Sequence, residues 1–267
     1  MLPVIFSLGG FTLYTFGIFL VLAFFWSTYL LWCLTQLTSY KEEDVFDSMF
    51  IAVLAGLIAS RATYIATHFS EFGLDLARMI LVNGYPGMSI HGFIIGFVSI
   101  FALACARRKM KPLELIDYIS PAILIGLAIG TLGAFFAGSM LGSRTTFPLA
   151  VTYVGHEGLR HVTGLYASIA YGVATYVSYR IIFAIRRDTY KRGANLVFLG
   201  FATSLIMTAT APLTQQKPLL AGFGLEALIS AFLLLTFLVL FLYYFRNLFY
   251  TFFASITTRF TQNGTKH

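Results

Sequence analysis

The sequence predicts an all-α integral membrane protein with seven transmembrane helices. The 267-residue chain is 58% hydrophobic and only 11% charged, which is far from the composition of a soluble domain. Seven apolar runs follow one another, and each is close to the roughly 20 residues that a helix needs to cross about 30 Å of hydrocarbon. Basic residues cluster in the short segments between the runs, as topology signals do in membrane proteins.

The apolar runs define the predicted helices in order. They cover 11–34, 45–69, 88–106, 119–141, 162–185, 194–213 and 222–250. Two segments between them, 70–87 and 143–161, are less apolar and are predicted to form short interfacial helices or loops. No linker, low-complexity tract or second domain is visible, so residues 1–267 are predicted to form a single membrane domain.

Two basic clusters set the predicted topology. They are Arg107, Arg108, Lys109 and Lys111 after the third run, and Arg186, Arg187, Lys191 and Arg192 after the fifth. The positive-inside rule places both clusters in the cytoplasm, which puts the N-terminus outside and the C-terminus inside. The opening MLPVIFSLGG lacks the basic leader of a cleavable signal peptide, so the first span is expected to remain in the mature protein.

Charge and cysteine usage exclude several classes of function. The net charge of +7 comes from clusters between apolar runs and not from an amphipathic face, so no nucleic-acid partner is expected. Cys33 and Cys105 lie in or beside apolar runs, and the sequence contains no CxxC motif or His/Cys cluster. No disulfide, metal site or cofactor is therefore expected.

Ionisable residues within the spans are the first candidates for function, because each costs roughly 2.5 to 3.5 kcal/mol at the centre of a helix on insertion scales. His91 lies among Gly87, Gly92 and Gly96. It is either a base that titrates near neutral pH or a histidine that hydrogen-bonds a neighbouring helix. Arg61 either binds a lipid phosphate or extends to the membrane interface.

Two further features have structural explanations from local sequence alone. Asp117 precedes Pro121 at a predicted helix start, where its carboxylate is expected to cap free backbone N–H groups. The stretch from Gly126 to Gly142 contains five glycines and no charged residue. This spacing of small residues is typical of tight helix packing.

Taken together, these motifs resemble the bacterial prolipoprotein diacylglyceryl transferase family, Lgt, over nearly the whole chain. Arg61 and Tyr64 are similar to the family's Arg-x-x-Tyr. The run GMSIHG from Gly87 to Gly92 is similar to its Gly-Met-Ser-x-His-Gly-Gly motif, with Phe93 in place of the last glycine. The run RHVTGLYAS from Arg160 is similar to its Arg-His-Pro-x-Gln-Leu-Tyr-Glu.

The family signature Gly-Arg-x-Gly-Asn-Phe-x-Asn-x-Glu-x-x-Gly aligns with the glycine-rich stretch. This stretch keeps the glycines and the phenylalanine of the signature and lacks its polar residues. The matching residues are Gly130, Gly133, Phe135 and Gly142. At the polar positions, Thr131 replaces the Arg, Ala134 and Ala137 replace the two Asn, and Ser139 replaces the Glu. The family also carries an Arg and a Glu in the sixth span, whereas residues 194–214 contain no charged residue.

The resemblance implies a multi-pass protein of the bacterial cytoplasmic (inner) membrane. The family transfers the diacylglyceryl group of phosphatidylglycerol to the cysteine thiol of a lipoprotein signal peptide and releases glycerol phosphate. By resemblance, His91 is the candidate catalytic residue. The candidate lipid-binding residues are Arg61, Tyr64, Gly87, Ser89, Gly92, Arg160, His161 and Tyr166.

Three functions remain open at this point. The first is a pseudoenzyme that keeps the cavity for phospholipid and lipoprotein peptide without efficient transfer, as a possible subunit of a membrane complex. The second is an active transferase with relocated catalytic groups, drawn from Arg61, His91, Arg144, Arg160 and His161. The third is a small-molecule transporter, which the absence of a visible inverted repeat disfavours. The lost polar residues favour the first.

Overall fold

The described chain is built mainly from α-helices, with two short β-hairpins. A computed structural model describes residues 4–8, 11–67, 69–73, 75–80, 87–215 and 225–246. In chain order the elements are β1 (Val4–Leu8), β2 (Phe11–Tyr14), α1 (Thr15–Thr35), α2 (Glu42–Thr67), α3 (Phe69–Phe72), α4 (Leu76–Ile80), α5 (Ile90–Arg107), α6 (Pro112–Ala137), β3 (Ala150–Thr152), β4 (Leu159–His161), α7 (Thr163–Arg186), α8 (Ala194–Thr210), a 3-10 turn (Ala211–Leu213) and α9 (Leu225–Tyr244).

Five helices are long and apolar enough to cross a membrane: α1, α2, α6, α7, and α8 with its 3-10 turn. Two shorter apolar helices, Gly92–Arg107 and Leu228–Tyr244, lie in the remaining two predicted runs. The chain is therefore a helical membrane protein. Helix α6 is the most enclosed of the five, since 44% of its apolar stretch is buried against 11% for α1.

The limits of two predicted helices differ most from the structure. Residues Phe11–Tyr14 form strand β2 and not the start of the first helix. Helix α6 begins at Pro112, earlier than predicted, and ends at Ala137 rather than at 141. It ends there because Gly138 adopts a φ of +73°, which glycine reaches without steric cost.

Residues 35–115 form one compact unit, centred on the pair α2 and α5. Small residues let the two backbones approach closely. A Cβ at Gly56 would lie 3.1 Å from the carbonyl oxygen of Phe93, and one at Gly96 would lie 2.9 Å from that of Ala55. Close packing of this kind takes the place of a hydrophobic driving force between helices in lipid.

An ion pair ties the end of α5 to the start of α2 within this unit. Arg108 Nη1 lies 2.6 Å from Asp44 Oδ1, and Nη2 lies 3.0 Å from Asp47 Oδ2. The hydrogen bonds that the Arg108 guanidinium donates to these two carboxylates raise its pKa. The basic cluster on which the predicted topology depends therefore also contributes a structural contact.

The second compact unit contains residues 1–34 and 116–267. Its core joins α6, α7 and α8 through the buried residues Leu124, Ala128, Ala167, Tyr171, Ala174, Ala202 and Ile206. Helix α1 packs on α6 where Gly133 leaves room for Phe19, and α9 packs on α8 where Gly200 leaves room for Phe237. Two of the signature-region glycines, Gly126 and Gly133, thus serve the contact with α1, as their spacing predicted.

A buried carboxylate joins α6 to the start of α8. Asp117 is 1% exposed and accepts hydrogen bonds from the N–H groups of Gly193, Asn195 and Leu196 at 2.6, 3.0 and 3.1 Å. These are N–H groups that the first turn of a helix leaves without intrahelical partners. Asp117 does cap a helix, but the helix is α8 and not its own.

Pro121 completes this junction from within α6. Proline has no N–H, so the carbonyl four residues earlier, that of Asp117, is released from the helix ladder. The side-chain amide of Asn195 donates to that carbonyl at 2.7 Å. Asn195 also accepts from Ser178 Oγ of α7 at 2.7 Å, so three helices meet at one buried polar cluster.

The second hairpin extends into a four-stranded arrangement, called the small sheet here: residues 141–145, 150–152, 159–161 and 213–215. Strand β4 pairs with β3 on one side and with Arg144 on the other. Gly142 in turn pairs with Thr214. The strands are three to five residues long, too short for a clear alternating pattern, and the sequence predicted only a helix or loop for residues 143–161.

We expect Asp117→Asn to lower the free energy of unfolding by about 2 to 3 kcal/mol, because the amide turns one acceptor into a donor facing buried N–H groups. The measurement is unfolding of the purified protein in detergent micelles. Asp188→Asn is the matched control, since it makes the same charge change at an exposed residue. Equal stability of the two variants would contradict this role for Asp117.

Gly142→Ala is expected to disrupt the small sheet, whereas Gly130→Ala is not. A Cβ at Gly142 would lie on the carbonyl oxygen of His161 and 2.8 Å from its carbon, while nothing lies within 4 Å of one at Gly130. Because alanine favours a helix over glycine by about 1 kcal/mol, Gly130→Ala should be neutral or stabilising. Thermal unfolding of both variants measures the difference, and similar losses would refute the steric argument.

Candidate functional site

In the unit of residues 35–115, Arg61 binds backbone carbonyls of α4 and the carbonyl of Gly87, which follows α4 in the chain. Its Nε donates to Met79 O at 2.9 Å, Nη1 to Gly87 O at 2.8 Å and Nη2 to Arg78 O at 3.0 Å. Its Cζ also lies 5.1 Å from the centre of the Phe72 ring. The guanidinium thus holds backbone carbonyls, and its contact with lipid stays a prediction.

The GMSIHG motif is anchored to α2 by hydrogen bonds and by a close contact. Ser89 caps α5, with its side chain accepting from Gly92 N–H at 3.3 Å. Ser60 Oγ donates to Ser89 O at 2.8 Å, and Ser89 N–H donates to Ser60 O at 3.2 Å. Gly87 has a φ of +152°, and a Cβ there would enter the Tyr64 ring.

Five of the predicted lipid-binding residues therefore lie in one group in this unit. They are Arg61, Tyr64, Gly87, Ser89 and Gly92. His91 is the second residue of α5, but its side chain lies outside the described residues. Its predicted role as a base stays a prediction.

The eroded signature positions lie along α6 and just after it, in the other unit. Thr131 Oγ1 donates to Leu127 O at 2.8 Å and to Ala128 O at 3.1 Å. Ser139 Oγ donates to Ala134 O at 3.2 Å. Both hydroxyls bond their own segment of chain, and Ala134 and Ala137 have no polar side-chain atom.

Close packing of α6 on α7 accompanies these losses. Gly164 stands where the family resemblance leads us to expect Gln. A Cβ there would lie 2.9 Å from Phe135 Cβ and 3.0 Å from the carbonyl oxygen of Thr131. No side chain fits at this position without movement of the helices. The two helices are therefore in close contact at the position where the resemblance leads us to expect a polar side chain.

Arg160 is a buried cation in this unit. It is 7% exposed, and its Nη1 donates to Gly142 O at 3.0 Å and to Gln215 Oε1 at 2.8 Å. Because successive strand residues point to opposite faces, His161 lies on the other face of β4. Its ring is 6.1 Å from that of Phe147 and 6.3 Å from that of Tyr166.

Two tyrosines support the His161 side of the small sheet. Tyr153, which is 2% exposed, donates to His161 O at 3.2 Å. Burial raises the pKa of Tyr153, the nearby Tyr166 adds to the rise, and Arg160 opposes it. Tyr166 donates to Leu149 O at 3.2 Å. The predicted lipid-binding residues Arg160, His161 and Tyr166 thus share one small region.

Unsatisfied polar atoms concentrate in this same region. Among the described residues that are not exposed, four buried side-chain N or O atoms have no hydrogen-bond partner: Arg160 Nε, His161 Nδ1, Thr163 Oγ1 and Thr208 Oγ1. The first three fall within four consecutive residues. Sequence reasoning did not single out Thr163 or Gln215, because Thr163 stands at the variable position of the Arg-His-Pro-x-Gln motif and Gln215 belongs to no recognisable motif.

The described site therefore offers cations and hydroxyl donors, which suit an oxyanion. It offers no described carboxylate beside Arg160 that would act as a base. Within the described part of the chain, no three His, Cys, Asp or Glu side chains are close enough to hold a metal ion.

Known proteins similar to this chain are named as diacylglyceryl transferases. The family model described as prolipoprotein diacylglyceryl transferase matches residues 3–243. The phosphatidylglycerol–prolipoprotein diacylglyceryl transferase of Wolbachia pipientis subsp. Culex pipiens (strain wPip) is 29% identical over 197 residues, which cover 72% of this chain and 74% of that protein. Proteins of the same name from Finegoldia magna and Geobacter sulfurreducens are 28% and 26% identical, over 62% and 74% of this chain and 66% and 76% of theirs.

The match covers nearly the whole chain, and the helices are those of a multi-pass protein of the bacterial inner membrane. The motif residues in both units are the ones that carried the resemblance. The chain belongs to the prolipoprotein diacylglyceryl transferase family.

Proposed function

We propose that this family member binds phosphatidylglycerol and does not transfer its diacylglyceryl group efficiently. The proposal rests on the residues that occupy the signature positions. Thr131 and Ser139 bond carbonyls of their own segment, and Ala134 and Ala137 supply no polar group. The proposed partners are the lipid and either a lipoprotein signal peptide or another membrane subunit.

The chemistry explains why these positions matter. Transfer to a thiol requires a thiolate, and it requires stabilisation of the charge that builds on the departing phosphate. An arginine fork holds phosphate oxygens with two aligned hydrogen bonds. Loss of one preorganised donor at a developing anion typically costs about 100 to 1,000-fold in rate. The neutral Thr131 and the uncharged run 194–214 remove two such cations.

The retained polar residues support lipid binding over a scaffold alone. Close packing requires the glycines, but it does not require a buried arginine such as Arg160, which has an unpartnered Nε. Arg61 keeps its motif position and holds the segment that contains Gly87. The names of the relatives supply the second candidate, an active transferase whose cations come from Arg160 or Arg144.

The proposed architecture completes the membrane domain. We infer that the two shorter apolar helices span the membrane with the other five, giving seven spans in one domain. The N-terminus is then outside, and so is the small sheet with Arg160, His161 and Tyr166. The two basic clusters that follow the third and fifth runs face the cytoplasm, as the positive-inside rule predicts.

The test is transfer of a labelled diacylglyceryl group from phosphatidylglycerol to a cysteine-containing lipoprotein signal peptide. We expect a rate at least about 100-fold below that of the Wolbachia relative in the same lipid. We also expect labelled phosphatidylglycerol to be retained by the purified protein. A peptide with serine in place of cysteine sets the background.

His91→Ala distinguishes the two candidates. Multiple turnovers that His91→Ala abolishes would overturn the proposal and establish an active enzyme. A protein that shows no turnover and retains no lipid would also overturn the proposal, because the chain would then lack both transfer and binding.

A further inference from the structure

One face of α7 changes from apolar to basic towards the end of the helix. Ile169, Val173 and Tyr176 are 60 to 61% exposed, and Arg180 and Arg187 are exposed as well. Neighbours in this series are three, four or seven positions apart, which places them on one side of an α-helix. These five residues are called the exposed stripe here.

The basic end of the stripe lies far from the small sheet. Helix α7 begins at Thr163, directly after β4, and its 24 residues carry the chain about 36 Å along the helix axis. Because the hydrocarbon core of a bilayer is about 30 Å thick, the ends of such a helix reach the head-group regions. Arg180 stands six residues before the last residue of α7, which is about 9 Å. It therefore lies near the boundary between hydrocarbon and head groups.

Arg180 is held by Tyr176. Its Nη1 donates to Tyr176 Oη at 2.9 Å, and its Cζ lies 5.9 Å from the centre of the Tyr176 ring. Because Tyr176 Oη is the acceptor in this bond, its own proton can be donated to a further acceptor. The ion pairs in the described ranges involve Arg78 and Arg108 only, so neither arginine of the stripe is paired with a described carboxylate.

An arginine at this depth is costly unless its charge is paired or extends towards water. Tyr176 lies one turn towards the start of α7, so the contact with it directs the Arg180 guanidinium away from the nearer head-group region. Extension of the side chain towards water therefore does not explain the arrangement. A lipid phosphate, by contrast, is an anion that the bilayer itself supplies close to this level.

We propose that the exposed stripe binds an anionic phospholipid of the leaflet at the end of α7. The guanidinium fork of Arg180 and the hydroxyl of Tyr176 bind phosphate oxygens, and Arg187 adds a second positive charge two turns further along. The acyl chains lie along Val173 and Ile169, where the stripe is apolar. A soluble phosphate or a nucleic acid has no apolar part to occupy those residues, so the continuity of the two surfaces favours a lipid.

This site is separate from the phosphatidylglycerol site of the proposed function. It lies at the opposite end of α7 from Arg160 and His161, and neither proposal depends on the other. Arg180 and Arg187 also lie outside every motif that carried the family resemblance.

The experiment measures dissociation constants of the full chain in a neutral detergent for short-chain phosphatidylserine, which is anionic, and short-chain phosphatidylcholine, which has no net charge. Arg180→Gln should weaken phosphatidylserine binding about 10-fold or more, as expected for loss of charge-assisted hydrogen bonds. Arg187→Gln should weaken it about 2- to 5-fold, the range for an exposed charge interaction. Asp188→Asn should tighten it by a similar factor, because it removes an exposed negative charge beside Arg187.

The matched control is Arg246→Gln, which removes the same charge from another exposed arginine beside an aromatic ring, that of Tyr243 at 5.4 Å. It should leave both dissociation constants unchanged, which separates the site from a general attraction of anionic lipid to basic residues. The unfolding temperature is a second readout, since a ligand that binds the folded state raises it. Phosphatidylserine should raise it for the wild-type chain and for Arg246→Gln, but much less for Arg180→Gln.

The expected order of variants, with phosphatidylcholine bound more weakly than phosphatidylserine, supports the site. Equal weakening by Arg180→Gln and Arg246→Gln overturns it, as does phosphatidylserine binding that is absent or independent of Arg180. If Arg180→Gln does not fold, the opposite effects of Arg187→Gln and Asp188→Asn decide, and their absence overturns the site. None of these results bears on retention or transfer of phosphatidylglycerol, so the two proposals fail separately.

Discussion

The buried junction of Asp117 with Asn195 is the constraint on which the unit of residues 1–34 and 116–267 depends. A carboxylate that is 1% exposed survives in an apolar setting because three N–H groups of the α8 start surround it. Pro121 releases the one carbonyl that the Asn195 amide needs. The position of α6 along its axis is thereby fixed against α7 and α8, and α6 carries the signature positions Thr131, Ala134 and Ala137.

The two faces of β4 divide the polar residues of the small sheet into different environments. His161 lies among Phe147, Tyr153 and Tyr166, where its contacts are rings and a hydroxyl. Arg160 lies on the opposite face, which it shares with Arg144, and its Nη1 donates to Gly142 O. Arg160 and His161, which are adjacent in the motif, therefore lie in different environments. Of the two faces, the one with Arg160 and Arg144 carries positive charge without a counter-ion among the described residues.

Most of the helical architecture could be predicted, because an apolar run of about 20 residues has few alternatives in a membrane. The cap formed by Asp117 was assigned to the wrong helix, since its partners are 76 to 79 residues away and local sequence gives no sign of them. The small sheet was missed because its strands are too short to show periodicity. The motif residues predicted the two groups of the candidate site, but not that Arg61 would bind carbonyls or that Gln215 would hold Arg160.

The contact at Gly164 makes a polar side chain at this position hard to introduce by one substitution. A Cβ there would lie 2.9 Å from Phe135 Cβ and 3.0 Å from the carbonyl oxygen of Thr131, so α6 and α7 would have to move apart to admit it. A glutamine at position 164 would therefore meet a steric penalty before it could supply any chemistry. Restoring a polar site at this point requires repacking two helices and not the exchange of a single residue.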